Sequence, residues 1–203
     1  ATALSPQIDL ASEPRWSRFS GTMGEDPDLS TDMARAYVDG FQTSSGEYEI
    51  VNGWGYHSVN AMVKHWPGGA TGEGGRDAHF IYGKYAVYPG NNFDYHLIPF
   101  SEGAFPAKTA QIMPYYGLPV GQTPEDVAMG FNKYIITDLL RDSLGFEGVV
   151  CSDWGLISDS PFKLAAAWGV EHLSEKERVQ KILDAGCDMF GGERRPDLII
   201  DLV

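Results

Sequence analysis

Polar and aromatic side chains follow directly on three short apolar runs of the chain. The pairs are Lys64 and His65 after VNAMV, Tyr115 and Tyr116 after AQIM and a proline, and Asp153 and Trp154 after VVCS. A rigidly held carboxylate can act as a nucleophile or as a general base, and lysine, histidine and tyrosine can bind hydroxyl groups or share protons. The pairs are therefore candidates for one polar site, provided that the fold brings their runs together.

The apolar runs are predicted to be strands of a parallel sheet. They are nearly unbroken in hydrophobicity, as expected for strands that are covered on both faces. Five runs have this character: 4–10, 59–63, 110–113, 149–152 and 188–190. Longer amphipathic segments lie between them, so the chain has an alternating βα pattern.

Three helices carry clear start or stop signals. The first is predicted to begin after Asp26 with Pro27 in its first turn, and to bury Leu29, Met33, Ala36, Tyr37 and Phe41. The second is predicted from Thr123 as the capping residue to Gly145 as the stop. The third opens at Ser174 and Glu177, which have capping-box spacing, and closes at Gly186.

Polar residues at one end of each strand favour an α/β fold of the (β/α)8 barrel type. Active sites of such barrels lie at the carboxyl ends of the strands, in the βα loops. A doubly wound open sheet would also place ligands there, but its usual phosphate signature is absent. The glycine-rich stretch PGGATGEGGRDAHF contains neither GxxxxGK[ST] nor a well-spaced GxGxxG, so a plain flexible loop is predicted.

Composition and motifs exclude several functions. With 15 Lys+Arg against 28 Asp+Glu, the formal charge of −13 disfavours nucleic acid and anionic membranes as partners. No apolar stretch approaches the roughly 18 residues of a spanning helix. HExxH, CxxC and GxSxG are absent, and DPDLST fails as a calcium loop at its glycine position, so no metal site is predicted. Cys151 and Cys187 are expected to be buried free thiols.

An ordered set of segments carries a family resemblance. PRWSRFSGTMGEDPDL, KHWPGG, GRDAHF, IMPYY, GVVCSDWG and AGCDMFGG follow one another along nearly the whole chain. Together they resemble glycoside hydrolase family 3, of the β-glucosidase kind. The resemblance implies a retaining, exo-acting β-glycosidase that hydrolyses β-linked glycosides or oligosaccharides at non-reducing ends and needs no cofactor.

The resemblance also implies roles for individual residues. Asp153 matches the nucleophile of the family's SDW motif, which forms a covalent glycosyl-enzyme. Arg18, Lys64 and His65 match donors to the sugar hydroxyls, and Tyr116 matches a tyrosine near the nucleophile, with Tyr115 as the neighbouring alternative. Trp154 is expected to form a wall of the sugar site, because apolar faces of pyranose rings pack against indole.

Two alternative functions stay open. Asp77 and His79 have the Asp-x-His spacing of the acid/base in β-N-acetylhexosaminidases of the same family, although the second histidine of their KHFPGHG motif is replaced here by Gly69-Ala70. A non-catalytic sugar-binding barrel is the other alternative.

Residues 1–203 are expected to form part of a single (β/α)8 catalytic domain. The resemblance implies further barrel strands, a following α/β domain and an acid/base glutamate outside this chain. It also suggests a periplasmic or secreted location, although ATALSPQIDL lacks the character of a signal peptide. The sequence does not predict the oligomeric state.

Overall fold

A parallel sheet forms the centre of the molecule. A computed structural model of the chain describes residues 1–51, 53–158 and 167–203. Its main strands are β1 (Thr2–Ala3), β2 (Asn60–Trp66), β3 (Gln111–Pro114) and β4 (Val149–Val150), which pair in parallel in this order. The predicted parallel sheet is therefore confirmed.

The sheet continues beyond these strands through isolated parallel bridges. Gln7 pairs with Lys64 on one side, and Cys151 pairs with Met189 on the other. Because all these pairings are parallel, the carboxyl ends of the runs that include residues 9, 65, 115 and 153 lie at one edge of the sheet.

Helices and short elements surround the sheet. The helices are α1 (Pro27–Gln42), α2 (Glu175–Ala185), α3 (Pro196–Ile200) and two π-helices, Pro99–Ala104 and Tyr134–Ser143. Short 3-10 turns cover Phe19–Gly21, Gly46–Tyr48, Glu73–Gly75, Ile81–Gly83, Pro89–Asn91, Phe93–Leu97 and Met129–Phe131. Two small sheets pair Glu49–Val51 with Trp54–Gly55 and Tyr85–Ala86 with Leu118–Pro119.

The first and third predicted helices begin as expected. The Asp26 carboxylate accepts the backbone N–H of Leu29 at the start of α1. Ser174 and Glu177 form a complete capping box at the start of α2, and Gly186 ends this helix with φ of 104°. These helix ends could be predicted from the sequence because capping depends on a few residues that are close together in the chain.

The predicted buried face of α1 is wrong. Its buried residues are Ser30, Ala34, Val38 and Gln42, whereas Leu29 is 52% exposed and Met33 is 45% exposed. The helix packs closely on Pro99–Ala104, where a Cβ added to Gly103 would lie 2.8 Å from the Thr31 carbonyl oxygen. Such a close approach admits small side chains at the contact and leaves larger ones outside.

The predicted start of the second helix is also wrong. The hydroxyl of Thr123 donates to the Glu125 carbonyl instead of capping a helix, and the helix begins only at Tyr134. Asn132 accepts the Ile135 N–H near this start, and Gly145 follows the helix with φ of 67°. The stop was therefore predicted correctly.

The core predictions hold for the cysteines but not for the glycine-rich stretch. Cys151 and Cys187 are free and buried. Residues 67–72, the first part of the stretch for which a plain flexible loop is predicted, are buried, and Gly69 lies against Asp9 and Tyr115. Trp16, Trp66 and Trp168 are core residues, with 2%, 0% and 4% of their surface exposed.

Candidate active site

A cleft of about 350 Å³ opens at the carboxyl edge of the sheet. Every residue predicted to bind sugar, the predicted nucleophile and one member of the alternative acid/base pair contribute to its wall. The lining residues are Leu4, Arg18, Lys64, His65, His79, Met113, Tyr116, Asp153 and Trp154. The strand ends thus gather residues that lie up to 150 positions apart in the sequence, Leu4 and Trp154 being the farthest.

Asp153 is held through one of its two carboxylate oxygens. Oδ1 accepts hydrogen bonds from the Tyr116 hydroxyl and from the Trp154 backbone N–H, both at 2.7 Å. Oδ2 is buried and accepts no hydrogen bond within the part of the chain that the structure describes. A buried oxygen without a donor is costly in a purely structural aspartate, so the arrangement favours a functional carboxylate.

Tyr116, rather than Tyr115, is the tyrosine that contacts Asp153. Its hydroxyl also contacts the Trp154 carbonyl oxygen at 2.7 Å. Burial first, and then the neighbouring Asp153 carboxylate, raise the pKa of Tyr116. The phenol therefore stays protonated and remains a donor.

Lys64 and Arg18 bring positive charge to the cleft. Burial is the main reason that the pKa of Lys64 is lowered; Arg18 lowers it further, whereas Asp153 and Asp9 act in the opposite direction. Arg18 donates to the Gln7 side chain at 3.3 Å and lies 5.8 Å from the ring centroid of Trp16. Both cations are thus placed where hydroxyl oxygens of a ligand could accept from them.

His65 is buried between two carboxylates. Its Nδ1 lies 2.8 Å from Oδ2 of Asp9, and its Nε2 lies 3.9 Å from Oδ2 of Asp153. Asp9 is a site residue that the sequence analysis missed. The signal that could have identified it is an acidic residue near the end of the otherwise apolar run LSPQIDL, beside the predicted site.

Asp77 and His79 form a pair at the rim of the cleft. Nδ1 of His79 lies 2.6 Å from Oδ1 of Asp77, which also accepts the His79 backbone N–H at 2.9 Å. Burial acts to raise the pKa of Asp77, but the hydrogen bonds from His79 outweigh it and hold the pKa at about 2. His79 lines the cleft, and its ring centroid lies 4.5 Å from that of Tyr116.

Trp154 forms a partly exposed wall of the cleft, with 38% of its surface accessible. Two glycines support its indole from behind. A Cβ on Gly191 would lie 2.6 Å from Cε3 of Trp154, and Gly192, with φ of 65°, also lies against the ring. The AGCDMFGG segment therefore contributes to the position of the indole through glycines that leave room for it.

The described ranges contain neither a cluster of metal ligands nor a membrane-spanning helix. No group of three or more His, Cys, Asp or Glu side chains in 1–51, 53–158 and 167–203 is arranged to hold a metal ion. None of the helices in these ranges is long and apolar enough to cross a bilayer.

Proteins of known activity resemble this chain over almost its full length. Beta-glucosidase C of Emericella nidulans is 53% identical over 99% of the chain, and a periplasmic beta-glucosidase/beta-xylosidase of Dickeya chrysanthemi is 43% identical over 99%. The chain covers 32% of the length of each of these relatives.

A solved structure supports the fold assignment. The β-glucosidase of Erythrobacter marinus superposes with a TM-score of 0.71 and 31% identity, over 98% of this chain and 24% of that protein. The prediction of an α/β fold belonging to a (β/α)8 barrel, incomplete in this chain, is thereby confirmed. Residues 1–193 match the glycosyl hydrolase family 3 N-terminal domain. The chain therefore belongs to glycosyl hydrolase family 3, as its sequence motifs implied.

Proposed function

We propose that the protein containing this chain is a retaining, exo-acting β-glycosidase of the β-glucosidase type, which hydrolyses O-glycosidic bonds at non-reducing ends. One observation carries the proposal. Asp153 is the only carboxylate among the described residues that line the cleft, and its Oδ1 is fixed by Tyr116 and by a backbone N–H. A carboxylate in such a position suits attack on an anomeric carbon.

The proposed reaction proceeds in two displacements. In the first, ionised Asp153 forms a bond to the anomeric carbon as the glycosidic bond breaks and the leaving oxygen is protonated. In the second, water attacks the glycosyl-enzyme and gives a proton to the group that protonated the leaving oxygen, and the carboxylate of Asp153 leaves. Each displacement inverts the anomeric centre, so the product keeps the configuration of the substrate.

Other residues of the cleft bind the sugar in this proposal. Lys64 and Arg18 donate to sugar hydroxyls, and His65 hydrogen-bonds a further hydroxyl at the wall. Hydrogen bonds of this kind can strengthen as the ring flattens toward an oxocarbenium ion. Trp154 packs against the apolar face of the pyranose.

The relatives indicate the class of substrate. Their names describe action on β-glucosides and, in one case, also on β-xylosides. At 53% and 43% identity over the whole chain, these names favour a β-linked glucoside over other β-glycosides as the substrate.

In this proposal the chain forms part of a single (β/α)8 catalytic domain.

The leaving oxygen must still be protonated by a second group. Retaining enzymes place this group about 5 to 5.5 Å from the nucleophile. No second carboxylate lines the cleft among the residues that the structure describes. In the β-glucosidase proposal, a glutamate outside residues 1–203 supplies the proton.

The Asp77–His79 pair favours a second candidate, a β-N-acetylhexosaminidase. His79 lines the same cleft as Asp153, and Asp77 is bonded to its Nδ1 at 2.6 Å. A histidine held by a carboxylate can protonate a leaving group. The two candidates therefore differ in where the acid/base lies.

Azide rescue tests the proposed nucleophile. In the full-length protein, Asp153→Gly should lose nearly all turnover of an aryl β-glucoside, and added azide should restore turnover with an α-glycosyl azide as product. The small anion occupies the space of the lost carboxylate and attacks from the same face. Nuclear magnetic resonance of the product reads its anomeric configuration.

Asp188, an aspartate that bonds to the backbone of β4, provides the control. Asp188 accepts from the Val150 N–H and from Arg141, and it does not line the cleft. Asp188→Asn should lower thermal stability but keep turnover per folded molecule. Full activity of Asp153→Gly would reject the nucleophile assignment, and a wild type that binds glucosides without hydrolysing them would indicate a non-catalytic barrel.

A further inference from the structure

We propose that Asp9 is a positioning residue of the active site, which fixes the His65 imidazole and the backbone of residues 65–69 at the cleft. The inference rests on the proposed function and deepens it. Asp9 does not line the cleft, and it acts through His65 rather than on the substrate.

The Asp9 carboxylate forms its hydrogen bonds with one neighbouring segment, residues 65–69. Its Oδ1 accepts the backbone N–H groups of His65 at 2.9 Å and of Gly69 at 2.5 Å, and its Oδ2 lies 2.8 Å from Nδ1 of His65. Asp9 is fully buried. Three donors of the KHWPGG segment thus converge on one carboxylate, which fixes both the ring of His65 and the loop that follows it.

The contact decides which nitrogen of His65 faces the substrate. Because Nδ1 donates to Asp9, Nε2 is the nitrogen that is left for the cleft. Nε2 lies 3.9 Å from Oδ2 of Asp153, so the ring stands directly beside the proposed nucleophile. The partner of one imidazole nitrogen fixes the tautomer and the orientation that the other presents.

At the other end of β2, the neutral side chain of Gln42 also accepts hydrogen bonds from two backbone N–H groups. Oε1 of Gln42 accepts the backbone N–H groups of Ala61 at 3.0 Å and of Ala110 at 2.9 Å. Accepting hydrogen bonds from one buried and one half-buried N–H group therefore does not require a charge. The additional partner at Asp9 is the His65 ring, which is the reason we infer for a carboxylate at this position.

The ionisation of Asp9 is consistent with this role. Burial acts to raise its pKa, but the electrostatic interaction and the hydrogen bonds with His65, together with the Gly69 N–H, outweigh burial and hold the pKa below the usual range. A buried carboxylate is tolerated when all its oxygens are paired in this way.

Asp9→Asn is the most direct variant, since it keeps the shape of the side chain. The amide oxygen is expected to face the two backbone N–H groups, which leaves the amide NH₂ facing Nδ1 of His65. The imidazole must then accept at Nδ1 and carry its proton at Nε2. We expect kcat/KM of the full-length enzyme to fall on the order of 100-fold, as for other small misplacements at active sites.

A double-mutant cycle with His65→Ala tests whether Asp9 acts through His65. If it does, Asp9→Asn should change kcat/KM by no more than about twofold in the His65→Ala background. Losses that multiply, so that the double variant loses the product of both effects, would overturn the proposal. If the Asn variant fails to fold, Asp9→Glu, which keeps the charge but displaces both oxygens, is used in the same cycle.

Gln42→Met is the matched control for a purely structural effect. It removes the acceptor of the backbone N–H groups of Ala61, at the opposite end of β2, and of Ala110, just before β3. We expect a lower melting temperature with kcat/KM per active site unchanged. Titration of active sites with a slowly released 2-deoxy-2-fluoro glycoside corrects all variants for the folded fraction. An Asp9→Asn enzyme that matches Gln42→Met in both respects would contradict the proposal.

The tautomer provides a readout that does not depend on activity. Long-range ¹H–¹⁵N spectra of histidine-labelled full-length enzyme, assigned through the His65→Ala variant, should show protonated Nδ1 in the wild type and unprotonated Nδ1 in Asp9→Asn. An unchanged tautomer would count against the inference. Peptide mapping of the covalently labelled wild type tests Asp153 separately, so the failure of one proposal is distinguishable from the failure of the other.

Discussion

The hydroxyl of Tyr116 donates a hydrogen bond of 2.7 Å to Oδ1 of Asp153 across two neighbouring strands. The tyrosine follows β3 and the aspartate follows β4, whose residues Ile112 and Val150 are paired in register. The parallel sheet thus fixes the distance between the two side chains. A donor to one oxygen orients the carboxylate, so the removal of this hydroxyl should impair the proposed nucleophile directly.

Tyr116→Phe should lower kcat about 10- to 100-fold with little loss of stability, because it removes one donor to Asp153 and keeps the ring. Steady-state kinetics of the full-length enzyme on an aryl β-glucoside measures the effect. Tyr115→Phe is the matched control: this ring packs edge-on against Trp16 and His65, and its hydroxyl is not a donor to Asp153. Equal kinetic losses in the two variants would contradict the assigned role of Tyr116.

Lys64→Arg should shift the alkaline limb of the pH profile. The pKa of Lys64 lies below its usual value, mainly because of burial, so its positive charge is lost as the pH rises through this lowered pKa. If the ammonium group of Lys64 binds a sugar hydroxyl, kcat/KM of the wild type falls over the pH range in which Lys64 loses its charge. Arginine stays charged there, so the limb moves to higher pH in the variant.

An exposed lysine outside the cleft serves as the control for this shift. Lys133 pairs with Asp138 on the surface, and Lys133→Arg should leave the pH profile unchanged. If the alkaline limb of the pH profile does not move in Lys64→Arg, a group other than Lys64 causes the fall in kcat/KM.

His79→Ala distinguishes the two candidate functions. Protonation of the leaving group matters far more for a poor leaving group than for a good one. The β-glucosidase proposal expects a mild loss of similar size on two aryl glycosides of different leaving-group ability. A large loss confined to the poor leaving group would identify His79, held by Asp77, as the acid/base.

Gly191→Ala should displace the indole of Trp154 and weaken substrate binding. The added methyl group would clash with the backbone carbonyl oxygen of Ser152 and would lie 2.6 Å from Cε3 of Trp154, so the indole and the adjoining backbone must both move. We expect a KM increase of about 10-fold from a disturbed sugar platform. Gly40→Ala on α1 is the control, because a Cβ there meets nothing within 4 Å. A KM that is the same in both variants would remove Trp154 from the binding surface.

Most of the cleft could be predicted from the sequence because its residues lie at, or just after, the carboxyl ends of apolar strands. Lys64, Asp153 and Trp154 are placed by this rule alone, and the parallel sheet brings their strand ends together. Asp9 was not predicted as a site residue because it lies within an apolar run. Its burial and its hydrogen-bond partners depend on β2 and the loop that follows, which are distant in the sequence. A residue of this kind becomes visible only when long-range contacts are known.

The errors on helices have a similar origin. Hydrophobic spacing favoured Leu29 and Met33 as the buried face of α1, but close packing on another helix selected Ala34 and Val38. Local patterns report which residues are apolar, whereas the shape of the neighbouring surface decides which of them fit.

The proposed mechanism requires that Asp153 forms a covalent bond to the sugar. Incubation of the full-length enzyme with a 2-deoxy-2-fluoro-β-glucoside that carries a good leaving group should trap the glycosyl-enzyme, because the fluorine slows its hydrolysis. Proteolysis and tandem mass spectrometry then locate the label. We expect one added fluoroglucosyl group on Asp153, within the peptide that contains GVVCSDWG. A label on any other residue, or a first product of inverted anomeric configuration, would contradict the assignment of Asp153 as the nucleophile.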